Sequence, residues 1–119
     1  MKYELTTIRD TKITLSVCVA GDDLSLTLYG GEKGHIGAVT LGYAHNGKVN
    51  YETLSVPEHK EHFLTRNLIE YVVPQYAKTC VISCGIHWDN ITQDEIEQSV
   101  QDSIKLVSRY LNDLENTLQ

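Results

Sequence analysis

Apolar and polar residues alternate along the first half of the chain and recur at helical spacing along most of the second. In ITLSVCV, Ile13, Leu15, Val17 and Val19 alternate with Thr14, Ser16 and Cys18; in DLSLTLY, Leu24, Leu26 and Leu28 alternate with Ser25, Thr27 and Tyr29. A period of two puts each set on one face of a strand. AGDD is the turn between these strands. His45-Asn46-Gly47-Lys48 joins HIGAVTLGYA to KVNYETLSV, and its Asn-Gly suits a type I′ hairpin because both residues tolerate positive φ. With KYELTTI at the start, a meander of five antiparallel strands is predicted before Pro57.

Beyond Ser55 the period changes. Phe63, Leu64, Leu68, Tyr71 and Val72 fall at helical spacing, Ser55-Val56-Pro57-Glu58 resembles a capping box with proline in the first turn, and Pro74 marks the end. TCVISCGIHW is a short, nearly unbroken apolar run, suited to a sixth strand in the sheet interior with both faces buried. Thr92 and Glu95 make a second capping box, with Ile91 placed to staple onto Ile96. From there Ile96, Val100, Ile104, Val107, Leu111, Leu114 and Leu118 form an apolar stripe opposite an acidic face. The predicted fold is α+β, a two-layer sandwich with a mainly antiparallel sheet of about six strands and two helices on one face. Such a sheet leaves its other face half apolar, which predicts a homo-oligomer.

Length and composition narrow the possibilities. The 119 residues, 41% of them hydrophobic, suit a single domain over 1–119. There is no apolar run of membrane-spanning length, and MKYELTTIRD lacks the regions of a signal peptide, so a cytoplasmic protein is expected. A formal net charge of −6 without a basic cluster argues against nucleic acid as a partner. Three cysteines, Cys18, Cys80 and Cys84, are expected as free thiols. On a strand, Cys80 and Cys84 would share a face about 13 Å apart, too far to pair.

Candidate chemistry lies at the ends of elements. His35 opens the fourth predicted strand, His59 and His62 sit in the first turn of the first helix, and His87 ends the sixth strand; rigid scaffolds present side chains to ligands at such places. If the fourth and sixth strands are neighbours, His35 and His87 approach each other. One reading is a small metal-dependent enzyme. His59 and His62 would share a helix face, and His87 and Asp89 one face of an extended segment. Nucleophilic catalysis fits poorly, since Cys84 and His87 point to opposite faces of a strand. A third reading starts from GGEKGHIGAV. Gly30 and Gly31 free backbone N–H groups to converge on an anion, and Lys33, Lys60 or Arg66 supplies positive charge. The stretch is neither a P-loop nor a dinucleotide fingerprint, and a turn remains the plain alternative. Gly34 and Gly37 leave room for a flat ligand or for another stretch of backbone.

Three segments taken together resemble the LpdD-like proteins: Gly30-Gly31-Glu32-Lys33-Gly34-His35-Ile36-Gly37-Ala38-Val39, Pro57-Glu58-His59-Lys60-Glu61, and Cys84-Gly85-Ile86-His87-Trp88-Asp89-Asn90 followed by Ile96 after a helix start. The resemblance implies a fold similar to small proteasome-assembly chaperones. It also implies a role as chaperone for prenylated flavin mononucleotide, a cofactor made by a flavin prenyltransferase and used by aromatic-acid decarboxylases. The matched positions are Gly30, Gly31, His35 and Gly37; His59, Lys60 and Glu61; and Gly85, His87, Asp89 and Asn90. On this basis the expected cofactor-binding set is Gly30, Gly31, Lys33, His35, Gly37, His59, Lys60, Glu61, His87 and Asp89, with no catalytic residue. The competing readings are the metal-dependent enzyme of His59, His62, His87 and Asp89, and a ligand-free assembly module in which the glycines serve packing.

Overall fold

The computed structural model describes residues 1–117. It contains strands β1 (Lys2–Thr6), β2 (Lys12–Ala20), β3 (Asp23–Gly31), β4 (Ala38–His45), β5 (Lys48–Ser55) and β6 (Thr79–His87), with helices α1 (His62–Val72) and α2 (Gln93–Thr117). All six strands form one sheet in the order β1-β2-β3-β6-β4-β5. The predicted meander is therefore interrupted. β6 inserts between β3 and β4, parallel to the first and antiparallel to the second. The charge pattern accounts for its interior position, though not for its neighbours: β6 carries no acidic or basic residue before His87, whereas edge strands β1 and β5 carry Lys2, Glu4, Lys48 and Glu52.

Leu15, Leu28, Cys84 and Ala38 lie in one row across four strands, and Val17, Leu26, Ile82 and Thr40 in the next. Both rows are buried beneath the two helices. Each fully buried Leu or Ile there stabilises the fold by about 1.5–3 kcal/mol. α1 packs on β4, β5 and β6, and α2 on β1 and β2, so both helices cover the same face. Among the described residues no element covers the opposite face, and for that reason Val81 and Ser83 of β6 are half-buried rather than enclosed on both sides as the apolar run had suggested.

The turns follow the local signals. Asn46 (φ 53°) and Gly47 (φ 73°) form the β4–β5 hairpin, and Gly21 (φ 63°) the β2–β3 turn. Thr92 and Glu95 cap α2 reciprocally: the Glu95 backbone N–H donates to Thr92 Oγ1 at 3.2 Å and the Thr92 N–H to Glu95 Oε1 at 3.1 Å.

Three expectations need correction. Ser55-Val56-Pro57-Glu58 does not cap α1, because Ser55 pairs with Ala38 as the last residue of β5 and the Val56 N–H bonds Gly37 O at 2.8 Å. α1 starts only at His62, with no side-chain cap. Its buried face is Leu64, Thr65, Leu68, Ile69 and Val72, while Phe63 and Tyr71 are exposed. The helix turns this way because Ile69 fills the space that Gly42 leaves open and Thr65 Oγ1 bonds Thr40 Oγ1 at 2.8 Å in the core. In α2 the buried face is Ser99, Asp102, Ser103, Leu106, Val107, Tyr110 and Leu111, and Ile96 is exposed. Burial of the serines is tolerated since Ser99 Oγ donates to Ile96 O at 2.8 Å and Ser103 Oγ to Ser99 O at 2.7 Å. Asp102 leaves the acidic face for a buried site where it accepts a hydrogen bond from Thr7 Oγ1 at 2.7 Å. Leu118 lies outside the described residues. Among those residues, no helix is long and apolar enough to cross a membrane.

Candidate functional site

Inserting β6 between β3 and β4 forces the connection between those two strands to cross the C-terminal end of β6. Two more connections start at the same end of the sheet: residues 56–61, leading from β5 into α1, and residues 88–92, leading from β6 into α2. The site is built where these three meet.

Glycines make the crossing possible. The Glu32 and Lys33 backbone N–H groups donate to His87 O at 2.8 and 3.4 Å, the His35 N–H to Gly85 O at 3.3 Å and the Gly37 N–H to Cys84 O at 2.8 Å. A Cβ on Gly85 would overlap the His35 carbonyl, and one on Gly37 the Glu61 carboxylate. Gly30 and Gly31 are strand residues, paired with β2 on one side and β6 on the other. A Cβ on Gly30 would run into the Lys12 carbonyl, and one on Gly31 (φ 83°) would stand 2.5 Å from His87 O and 2.9 Å from Trp88 Cε2. The space freed by these glycines is thus taken by neighbouring backbone, by the Trp88 ring and by Glu61.

Four histidines were expected at element boundaries, and the boundaries are shifted. His35 lies three residues before β4 and His59 three before α1, whereas His62 opens α1 and His87 ends β6, both as expected. His35 nevertheless reaches the others. Its Nε2 lies 2.9 Å from Glu61 Oε1, its ring 4.6 Å from that of His59 and 6.0 Å from that of His87. His59 Nδ1 is 3.8 Å from Glu61 Oε2. His87 Nε2 is in turn 2.9 Å from Asp89 Oδ1, as expected for residues two apart on an extended segment. The Glu61 side chain is only 11% exposed, against 20% for His35 and 33% for His59. The four-residue metal set read from sequence does not assemble. His59 precedes the helix, so it shares no helix face with His62, whose ring packs 4.0 Å from Phe63 with Nδ1 buried. The donors that do converge are His35, His59 and Glu61, all within 4.8 Å of one another.

Beside this cluster runs a groove of about 450 Å³. Its apolar wall includes Phe63, Leu64, Ile86, Trp88, Ile96 and Val100, and its rim His59, Lys60, Glu61 and His87. Of the ten expected binding residues, these last four line the groove. His35, Gly37 and Asp89 stand behind them, touching Glu61 or His87. Gly30, Gly31 and Lys33 support the β3 end of the crossing loop, with Lys33 exposed. The exposed residues Glu58 (φ 69°) and Asn90 (φ 51°) flank the rim in left-handed conformations.

Sequence reading missed Arg9, which has no motif around it. Its guanidinium donates to both oxygens of Glu95 at 2.9 Å, to Glu32 Oε1 at 2.9 Å and to the Asp89 and Asn90 carbonyls at 2.7 and 3.3 Å, tying the crossing loop to the start of α2. Trp88, buried, donates Nε1 to Thr11 Oγ1 at 2.9 Å and fixes the groove's inner wall. Cys80 and Cys84 are buried free thiols, and Cys18 is exposed. Burial raises the thiol pKa of Cys80 to about 12 and that of Cys84 well above its ordinary value.

The model of the prenylated flavin chaperone LpdD-like domain matches residues 7–115, a span that includes the crossing loop, α1, nearly all of α2 and all four rim residues. The chain belongs to the LpdD-like chaperone family. Protein LpdD of Lactiplantibacillus plantarum is 32% identical to it over 83 residues, 66% of this chain and 59% of that protein's length. This LpdD-like chain also superposes on a chain from a chaperone complex for yeast 20S proteasome assembly with a TM-score of 0.56, covering 100% of this chain and 98% of the other. At 11% identity that likeness concerns the fold alone. The LpdD-like family thus has here the architecture that the motif resemblance implied.

Proposed function

We propose that this chaperone-family protein binds prenylated flavin mononucleotide in the groove and passes it, without transforming it, to an aromatic-acid decarboxylase in the cytoplasm, receiving it from a flavin prenyltransferase. The observation that carries this reading is a groove with an apolar wall and an imidazole-bearing rim, lined by residues of the second and third motif segments and backed by His35 of the first. Its volume of about 450 Å³ falls in the range of small-molecule sites, about 300–1,000 Å³. The residues fit the group. Ile86, Trp88, Phe63 and Ile96 offer an apolar surface to the ring system, Lys60 and, from the loop, Lys33 offer charge to a phosphate, and His59 and His87 offer hydrogen bonds to polar ring edges. Gly30, Gly31 and Gly37 act at one remove, by letting the loop carry His35 to Glu61. Cys84 is buried with a raised thiol pKa, which supports holding over nucleophilic chemistry.

The test is co-expression with a flavin prenyltransferase followed by absorbance and mass spectrometry of the purified protein. Prenylated flavin mononucleotide should co-purify at one per chain, and Lys60→Ala with His87→Ala should remove it while the fold survives. Absence of uptake from a working donor system would end the proposal.

A homo-oligomer is part of the same reading. On the helix-free face Leu41, Tyr43 and Leu54 are exposed, Leu54 at 76%, an arrangement that suits contact with a second copy. Light scattering should give a mass above 13.4 kDa, falling to that of one chain in Leu54→Lys.

A further inference from the structure

We propose that His35, His59 and Glu61 form a site for one divalent transition-metal ion, zinc by its donor set, at the rim of the groove. Two imidazole nitrogens and a carboxylate oxygen suit zinc and its neighbours far better than magnesium or calcium, which favour oxygen ligands.

The geometry is close to that of a filled site. Zinc binds nitrogen and oxygen at about 2.0–2.2 Å, which sets neighbouring donors in a tetrahedron roughly 3.3 Å apart. The distances here, 2.9 Å from His35 Nε2 to Glu61 Oε1 and 3.8 Å from His59 Nδ1 to Glu61 Oε2, bracket that value. All three donors lie within 4.8 Å of one another, so small side-chain rotations close the set.

An independent observation points to a cation. Glu61 Oε2 is buried and has no hydrogen-bond partner, the one carboxylate oxygen so placed among the described residues. His59 at 3.8 Å is too far to satisfy it. An ion pair between His35 and Glu61 leaves that oxygen stranded, at the desolvation cost of an unmade bond, whereas a cation between the carboxylate and His59 does not. The backbone also makes room for the cluster. Gly37 admits the carboxylate and Gly85 admits the His35 backbone, so three chain segments converge without side chains between them.

Three protein donors leave one position of a four-coordinate ion open. His87, turned toward Asp89, stands with its ring 6.0 Å from that of His35 and outside the set. The fourth ligand is therefore water or an anionic oxygen entering from the groove.

The experiment uses the full chain, stripped with a chelator and free of flavin, so its result does not depend on the cofactor reading. Zinc is titrated by calorimetry, and cobalt(II) by visible absorption. One zinc per chain should bind in the micromolar range or tighter, and cobalt should give the intense d–d bands of four- or five-coordination. His59→Ala and Glu61→Gln, with folding checked by circular dichroism, should each weaken binding by at least about tenfold. His45→Ala, on the exposed hairpin, should leave it unchanged. No saturable uptake at millimolar metal, a weak six-coordinate cobalt spectrum, or full affinity in both cluster variants would each overturn the proposal. The Gln variant keeps the shape of Glu61, so the test stands even where His59→Ala disturbs the loop.

Discussion

Gly31→Ala tests whether the double glycine at the end of β3 is a packing device. Two costs add. An L-residue in the left-handed region, here φ 83°, loses about 1–2 kcal/mol relative to glycine. The new Cβ would also stand 2.5 Å from His87 O and 2.9 Å from Trp88 Cε2, so the indole must shift in a wall where it is otherwise 96% enclosed. Overpacking of this kind costs about 1–3 kcal/mol. Together they predict a loss of about 2–5 kcal/mol, and at about 4 °C per kcal/mol for a domain of this size, a fall in Tm of about 8–20 °C. The control is Gly34→Ala, whose Cβ meets Tyr29 Cδ2 at an ordinary 3.5 Å and should change stability by under about 0.5 kcal/mol. Urea unfolding followed by the fluorescence of Trp88, the chain's single tryptophan, reports both. A Gly31→Ala protein within about 1 kcal/mol of the parent would refute the packing argument.

Three further outcomes are expected. Hydrogen bonds from the Arg9 guanidinium, then from the Thr92 backbone, hold the Glu95 carboxyl at about 2 against an ordinary 4.5. The folded value is the lower one, so this contribution is complete above pH 4.5 and is lost as pH falls toward 2. Glu95→Gln should flatten that part of the acid-denaturation curve, and an unchanged curve would count against the Arg9 link. Thr65→Val removes the buried end of the Thr53-Thr40-Thr65 hydroxyl chain and should cost about 1–2 kcal/mol by urea unfolding, with a neutral result arguing that the chain contributes nothing. A thiol reagent should label Cys18 alone in the native protein and all three cysteines in urea; rapid native labelling of Cys84 would show that the sheet's helical face opens.

Strand count, turn positions and the α2 capping box were legible in the sequence because each rests on neighbours in the chain. Alternation reports a half-buried face, Asn46-Gly47 tolerates positive φ, and Thr92 and Glu95 lie within one helical turn. The Ser55–Glu58 capping box failed for a related reason. Its local signal was sound, but pairing of Ser55 with Ala38 on the adjacent strand outweighed it. Likewise the α1 stripe was misread at Phe63 and Tyr71, since which side of that helix is buried depends on the Gly42 hollow in β4.

The candidate site was legible as a set of residue types and not as an arrangement. His35, His59, Glu61 and His87 could be named because histidines and matched motifs clustered at element ends. Gly37 and Gly85 showed only that something must approach closely. Arg9 carried no local signal at all. By itself the amino-acid sequence determined the α+β class, the number of elements, the free thiols and the family resemblance, all of which follow from local periodicity and short motifs. Tertiary structure alone decided that β6 lies between β3 and β4, and with it that the crossing loop brings His35 to Glu61. Strand order is set by long-range pairing and by which strand can best give up both edges to hydrogen bonding, quantities that no window of sequence contains.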